Sequence, residues 1–290
     1  KYDLAITSGI IGHKRGINWA KAIFSKSKIP LFISQTEGIY RSNMVEQFVW
    51  GNLKNEKKIL WTVCNQWSPK ANKLLKKEFP QIQSSFSISG SIGIDNYIIS
   101  RDNKIQYDFG IALNADLMTY ETVIIDYGLK YAKIWLNEYQ AAANQEIIFF
   151  LEKFSNKGFS FLIKSHPLLG SKKHFVEKQI KGLGNVTIVD INSSIEDAIR
   201  SCSIWITQNS SSSIEALVLK KPVFRVGNYK PSTFEDYDEL PTLDLLTKYL
   251  LDGESIEYIV KKNQIHNCNL INNTIGFNDG LNHIRFVKTI

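Results

Sequence analysis

The sequence contains no run of about 18 apolar residues, so it offers no candidate for a membrane-spanning helix. Cysteine is scarce: Cys64, Cys202 and Cys268 are far apart and odd in number, which argues against a disulfide framework or a thiolate metal site and fits a reducing cytosol. His, Asp and Glu do not cluster at metal-ligand spacing, so the expectation is no metal and no cofactor. Neither the dinucleotide-binding glycine fingerprint nor the P-loop occurs. An arginine-rich block is also missing. The net charge of +7 is carried by dispersed residues such as Lys54, Lys57, Lys73, Lys172 and Lys261. It reads as a solvated basic surface suited to an anionic small molecule, polymer or membrane face, and no nucleic-acid partner is expected.

What is present is a chain of 290 residues with 43% hydrophobic and 12% aromatic content, enough for two modest domains and a large core. Apolar runs alternate with helix-spaced segments in a βα rhythm. The first series places strands near Tyr2 to Thr7, Ile29 to Ser34, Lys58 to Cys64 and Ser85 to Ser89, with a helix over Pro69 to Phe79. The polar stretch from Ser100 to Tyr107 reads as a crossover. The second series places strands at Glu121 to Asp126, Ser160 to Lys164, Val186 to Val189, Ser203 to Thr207 and Pro222 to Val226. Its helices fall over Lys133 to Phe154, Ile195 to Ser201 and Ile214 to Leu219. The expected fold class is α/β, with two Rossmann-like domains facing a cleft, residues 1–110 on the acceptor side and 111–290 on the nucleotide side.

Two loops concentrate the polar chemistry. Lys164-Ser-His-Pro167 ends an apolar strand, and Pro167 biases His166 to an extended conformation that aims its imidazole outward. A second strand ends in Thr207-Gln-Asn-Ser-Ser-Ser-Ser-Ile-Glu215. Gln208, Asn209 and the hydroxyls of Ser210, Ser211, Ser212 and Ser213 precede a helix, where hydroxyls and free N–H groups can hold a phosphate. Glu215 lies in the first helical turn, where it can accept from ribose hydroxyls or complement the helix dipole. In the first half, Glu37 and Gly38 end a strand and are followed by Arg41 and Ser42. Asp126 ends another strand. Each carboxylate is placed to act as a base or nucleophile, or as a turn acid. His13 sits in the glycine-bearing turn Gly9-Ile-Ile-Gly-His-Lys-Arg-Gly16.

These segments together resemble the capsule polysaccharide biosynthesis family of bacterial β-Kdo transferases, GT-B-like enzymes that use CMP-activated Kdo. Ile29-Pro-Leu-Phe-Ile-Ser-Gln-Thr-Glu-Gly-Ile-Tyr-Arg-Ser42 is similar to that family's strand followed by Glu-Asp-Gly-Phe-x-Arg-Ser, with Thr36 in place of the first acid. Thr122-Val-Ile-Ile-Asp126 is similar to its strand ending in Asp, with Lys130 where an acid is frequent. Phe161-Leu-Ile-Lys-Ser-His-Pro167 resembles its Lys-x-His-Pro strand, and Thr207 to Val223 its Thr-Ser-x-x-Gly-Phe-Glu-Ala-Leu-x-x-Gly-Lys-Pro-Val. The His-Pro and serine-rich pair also resembles bacterial sialyltransferases and CDP-glycerol polymerases.

The resemblance implies a metal-independent, retaining glycosyltransferase of capsule or lipopolysaccharide assembly. Lys164, His166, Pro167, Gln208, Asn209 and Ser210 to Ser213 would hold the nucleotide phosphate, and Glu215 the ribose. Asp126 would be the nucleophile, with Glu37 the alternative or the acceptor base. His13, Gly38, Arg41 and Ser42 would face the acceptor. The implied partners are a nucleotide sugar and an anionic glycan or glycolipid, at a cytoplasmic location with peripheral contact to the inner membrane. A non-catalytic polysaccharide-binding module stays open beside the enzyme reading.

Overall fold

The computed structural model describes residues 4–8, 22–23, 29–34, 62–78, 80, 86–98, 104–114, 140–169, 173–208, 210–227, 239–263 and 268–289. The chain divides into two compact units after Ile99, and the segment from Cys268 onward belongs with the first.

The first unit is built on four parallel strands in sequential order: β1 (Ala5–Ser8), β2 (Leu31–Ser34), β3 (Val63–Gln66) and β4 (Phe86–Ile88). Leu31, Phe32 and Ile33 are consecutively buried, as expected of a parallel strand covered on both faces. Helix α1 (Pro69–Glu78) follows β3 and buries Ala71 and Leu75, one turn apart. Asn65 fixes the end of the sheet: its amide donates to Ser89 Oγ at 2.7 Å and accepts from Ser87 Oγ at 3.1 Å. The short helix α2 (Asp95–Ile98) supplies the carboxylate that ties in the C-terminal segment.

The second unit holds five parallel strands, β5 (Tyr107–Ala112), β6 (Phe161–Lys164), β7 (Val186–Ile188), β8 (Cys202–Thr207) and β9 (Val223–Arg225), in the order β7-β6-β5-β8-β9. The connecting helices are α3 (Ala141–Ser155), α4 (Phe175–Gln179), α5 (Ile195–Arg200) and α6 (Ser212–Val218). Beyond β9 lie α7 (Leu243–Leu251) and α8 (Ile256–Asn263). Phe109 of the central strand stacks on Phe161 at 5.3 Å and meets Phe150 of α3 edge-on at 5.5 Å. Each of these buried rings contributes about 1.5–3 kcal/mol of apolar transfer.

Two expectations change. The division falls after Ile99, where the crossover read from Ser100 begins, and β5 is the central strand, so a boundary after residue 110 would cut that strand in two. The apolar run was concealed by Asp108 and Gly110, and both are required by packing. Asp108 Oδ2 accepts from Ser160 N–H at 2.8 Å and from Ser160 Oγ at 2.9 Å. A Cβ at Gly110 would lie 2.4 Å from the Trp205 ring.

Second, residues 268–290 do not belong to the second unit. Helices α9 (Cys268–Ile275) and α10 (Asn282–Thr289) pack in the first unit. Buried Asp95 accepts from the N–H groups of Asn282 (3.2 Å) and His283 (2.8 Å), capping α10, and also contacts His283 Nδ1 at 2.8 Å. Asn282, fully buried, donates to the carbonyls of Ser91 and Phe277. Phe286 meets Phe32 edge-on at 6.1 Å. Cys64 and Cys202 are free and buried; burial raises both thiols, Cys202 to about 12.

Candidate functional site

The register of the second sheet sets one edge level. Ala112 of β5 pairs with both Lys164 of β6 and Thr207 of β8, and Thr207 pairs with Arg225 of β9. The loops after these strands therefore leave from the same edge. The chain runs outward from β5 in both directions, to β6 and β7 on one side and to β8 and β9 on the other. The point between β5 and β8 is thus a topological switch, the place where open α/β sheets bind ligands. His166 and Ser210 follow strands two spacings apart, roughly 10 Å, a span that a phosphate and its sugar can bridge.

The side chains at this edge divide into buried and partly exposed groups. Lys164 is 4% exposed; its ammonium donates to the carbonyl of Ile191 and lies 3.5 Å from that of Asp190. Burial lowers its pKa, and the nearby Asp190 opposes the fall. This lysine fastens the turn after β7 to the end of β6. Gln208, fully buried, accepts from Asn114 N–H at 3.2 Å and donates to Asn144 Oδ1 at 3.3 Å, locking the switch point to α3. Ser212 accepts from the Trp205 indole N–H at 3.2 Å, and Ser213 Oγ donates to the Ser210 carbonyl at 2.8 Å. Both serines are buried.

The exposed group is smaller. His166 and Ser210 are half-buried, Pro167 and Ser211 are exposed, and Glu215 is half-buried in the first turn of α6. Pro167 opens a 3-10 turn through Leu169, whose N–H returns to the His166 carbonyl at 3.1 Å. Ser211 occupies the N-cap position of α6 without a capping side-chain bond, while Ser210 Oγ accepts from Ser212 N–H at 3.3 Å. Of the expected nucleotide group, Asn209 lies outside the described residues. So do both expected catalytic acids, Asp126 and Glu37, and the expected acceptor group His13, Gly38, Arg41 and Ser42.

A titratable cluster at the same edge was not singled out from the sequence. Glu146 of α3 accepts from Gly227 N–H at 2.8 Å, just past β9. Arg225 donates to the carbonyls of Gly227 (2.6 Å) and Leu240 (3.1 Å). Burial raises the Glu146 carboxyl to about 7, with Asp244 adding to the rise and the Gly227 N–H and Arg225 opposing it. The available signal was positional: Glu146 lies one turn from buried Ala143 and Phe150, so it interrupts an apolar helix face. Among the described residues, no three His, Cys, Asp or Glu side chains are grouped as metal ligands would be.

No protein-family model matches this sequence, and no curated protein matches it. Solved structures do. A UDP-GlcNAc 2-epimerase from Neisseria meningitidis bound to UDP-GlcNAc superposes with a TM-score of 0.59 at 14% identity, covering 99% of this chain and 76% of that one. MnaA from S. aureus, in a structure with UDP, gives 0.55 at 13% identity over 98% of this chain and 74% of its own. The wall teichoic acid polymerase TagF gives 0.52 at 12% identity over 90% and 68%. At these identities the likeness speaks for architecture: the chain has a GT-B-like fold of two Rossmann-like α/β units.

Proposed function

We propose that this chain acts on a nucleotide-activated sugar or polyol donor, as a transferase that builds a surface polysaccharide or glycolipid. The observation that carries the proposal is the level edge of β6, β5 and β8, where the loops after the strands keep His166, Ser210, Ser211 and Glu215 partly or fully exposed beside the switch point. Lys164, Gln208, Ser212 and Ser213 act behind them, holding the loops in place. In this reading the donor phosphate lies between His166 and the Ser210 to Ser211 turn, where an imidazole N–H and hydroxyls offset the charge that develops as the nucleotide leaves. Glu215 accepts from the ribose hydroxyls. No metal is assigned to the reaction.

Within that class, the resemblance of residues 29–42, 122–126, 161–167 and 207–223 favours CMP-Kdo as donor. Asp126 then attacks the anomeric carbon as the bond to the phosphate oxygen breaks and CMP departs. The acceptor hydroxyl, its proton taken by Glu37, then bonds to the anomeric carbon as the bond to the Asp126 carboxylate breaks; Glu37 is the alternative nucleophile. Gly38, Arg41, Ser42 and His13 contact an anionic glycan or glycolipid, at the cytoplasmic face of the inner membrane. A second reading, transfer from a CDP-polyol, is favoured by the likeness to TagF, also determined after a soak with CDPG. The epimerase likeness supports a nucleotide sugar and leaves the base open.

Calorimetric titration with CMP, CDP and UDP tests these readings. CMP as the tightest ligand, weakened by His166→Ala, supports the Kdo reading, and CDP as the tightest supports the polyol reading. Binding of none of the three overturns the proposal.

A further inference from the structure

The second unit carries a cavity of about 420 Å³ on the outer flank of edge strand β7, away from the β5–β8 switch point. Its apolar floor is formed by Ile180, Val186 and Ile188, and its rim by Lys173, Lys178 and Lys181. All three lysines are exposed, and among the described residues none is ion-paired with an acidic side chain. The acid in the lining, Glu177, receives the Ser165 hydroxyl. Ile188 is 46% exposed, and Phe175, outside the cavity lining but one turn before Lys178 on α4, is 40% exposed. Exposed apolar side chains beside exposed lysines are complementary to a surface that is apolar beneath and anionic above.

We propose that this flank docks on an anionic lipid surface, with Phe175 and Ile188 entering the interface and Lys173, Lys178 and Lys181 contacting acidic headgroups. The lysine stems can lie along the apolar floor while their ammonium groups reach the headgroup layer. An added peptide strand fits less well. The exposed edge is only three residues long, Val186–Ile188, and short edges with neighbouring lysines are the usual means of refusing strand addition. The net charge of +7 supplies the long-range attraction, and the flank supplies the orientation.

The inference stands apart from the nucleotide reading, because vesicle binding is measured without donor or acceptor. The test is cosedimentation with vesicles of phosphatidylcholine alone and of phosphatidylcholine mixed with phosphatidylglycerol. The protein is expected to bind only the mixed vesicles, less so as salt rises. Replacing Lys173, Lys178 and Lys181 by Gln together should lower the partition coefficient roughly fivefold per lysine, on the order of a hundredfold in all. Phe175→Ser with Ile188→Ser should weaken binding even at low salt. The matched triple Lys157→Gln, Lys248→Gln and Lys261→Gln removes the same charge elsewhere on the unit and should change binding by only a few fold. All these side chains except Lys157, which lies over the Phe154 ring, and Lys248 and Lys261 on α7 and α8, belong to the flank, and circular dichroism verifies that each variant is folded. Absence of binding to the mixed vesicles overturns the proposal, as does an undiminished flank variant or an equal loss in the matched triple.

Discussion

Glu146→Gln separates a carboxyl that costs stability from one that supplies it. Glu146 carries its proton up to about 7 because burial and Asp244 outweigh the Gly227 N–H and Arg225. The unfolded chain releases that proton near 4.5, so the folded state binds it more tightly across the interval between. The stabilising contribution is therefore complete below 4.5 and lost as pH rises through 7. A rise from 4.5 to about 7 corresponds to about 3 kcal/mol at ~1.4 kcal/mol per pH unit. Solvent contact of this half-buried side chain reduces the figure to ~1–2 kcal/mol. Glutamine keeps an oxygen to accept from Gly227 N–H and removes the charge. Urea denaturation at pH 5 and pH 8 should show the wild type less stable at the higher pH by ~1–2 kcal/mol relative to the variant. A variant that is less stable than wild type at pH 8, or that has the same pH slope, would refute the argument.

Gly110→Ala places a Cβ 2.4 Å from the Trp205 ring and 2.7 Å from Cys202 Sγ, and should cost ~1–3 kcal/mol in denaturation; an unchanged midpoint would contradict the packing of β5 on β8. Gln140 is 4% exposed, and neither end of its amide has a partner among the described residues. Gln140→Leu should accordingly stabilise the protein by ~1–2 kcal/mol, whereas a loss of stability would reveal a bond that the amide makes. Asp95→Ala removes the acceptor for the first N–H groups of α10 and should cost ~1–2 kcal/mol. Faster amide exchange confined to residues 282–289 would locate that loss, and unchanged exchange there would count against the cap.

The strands that are uniformly apolar were legible in the sequence. Phe161–Lys164 and Cys202–Thr207 are buried almost without interruption, and a turn residue or proline marks where each ends. β5 was hidden because Asp108 and Gly110 answer to Ser160 and Trp205, partners 52 and 95 residues away in sequence. Helix α7 had readable signals in the Thr242 cap and the spacing of buried Leu243, Leu246 and Leu250, yet the reading stopped at Val226. The assignment of α10 to the first unit was not legible, since it depends on Asp95 receiving N–H groups 187 and 188 residues further on.

At the site, residue type identified the loops correctly as polar strand ends. It could not tell which hydroxyl or amide turns inward. Lys164 and Gln208 have the chemistry of ligand-binding residues, and here they bind backbone carbonyls and neighbouring amides. Only the register that levels Lys164, Ala112 and Thr207, together with side-chain burial, separates them from His166, Ser210 and Ser211. Glu146 escaped attention for the opposite reason: an acid in a long helix looks like surface until its helical face is known.

Whether the β6, β5 and β8 edge of the second unit holds the donor nucleotide is tested most directly by a crystal structure with CMP. The phosphate is expected within hydrogen-bonding distance of His166 and of Ser210 or Ser211, with the ribose hydroxyls on Glu215. CMP bound elsewhere on the unit, with those four side chains untouched, would contradict it.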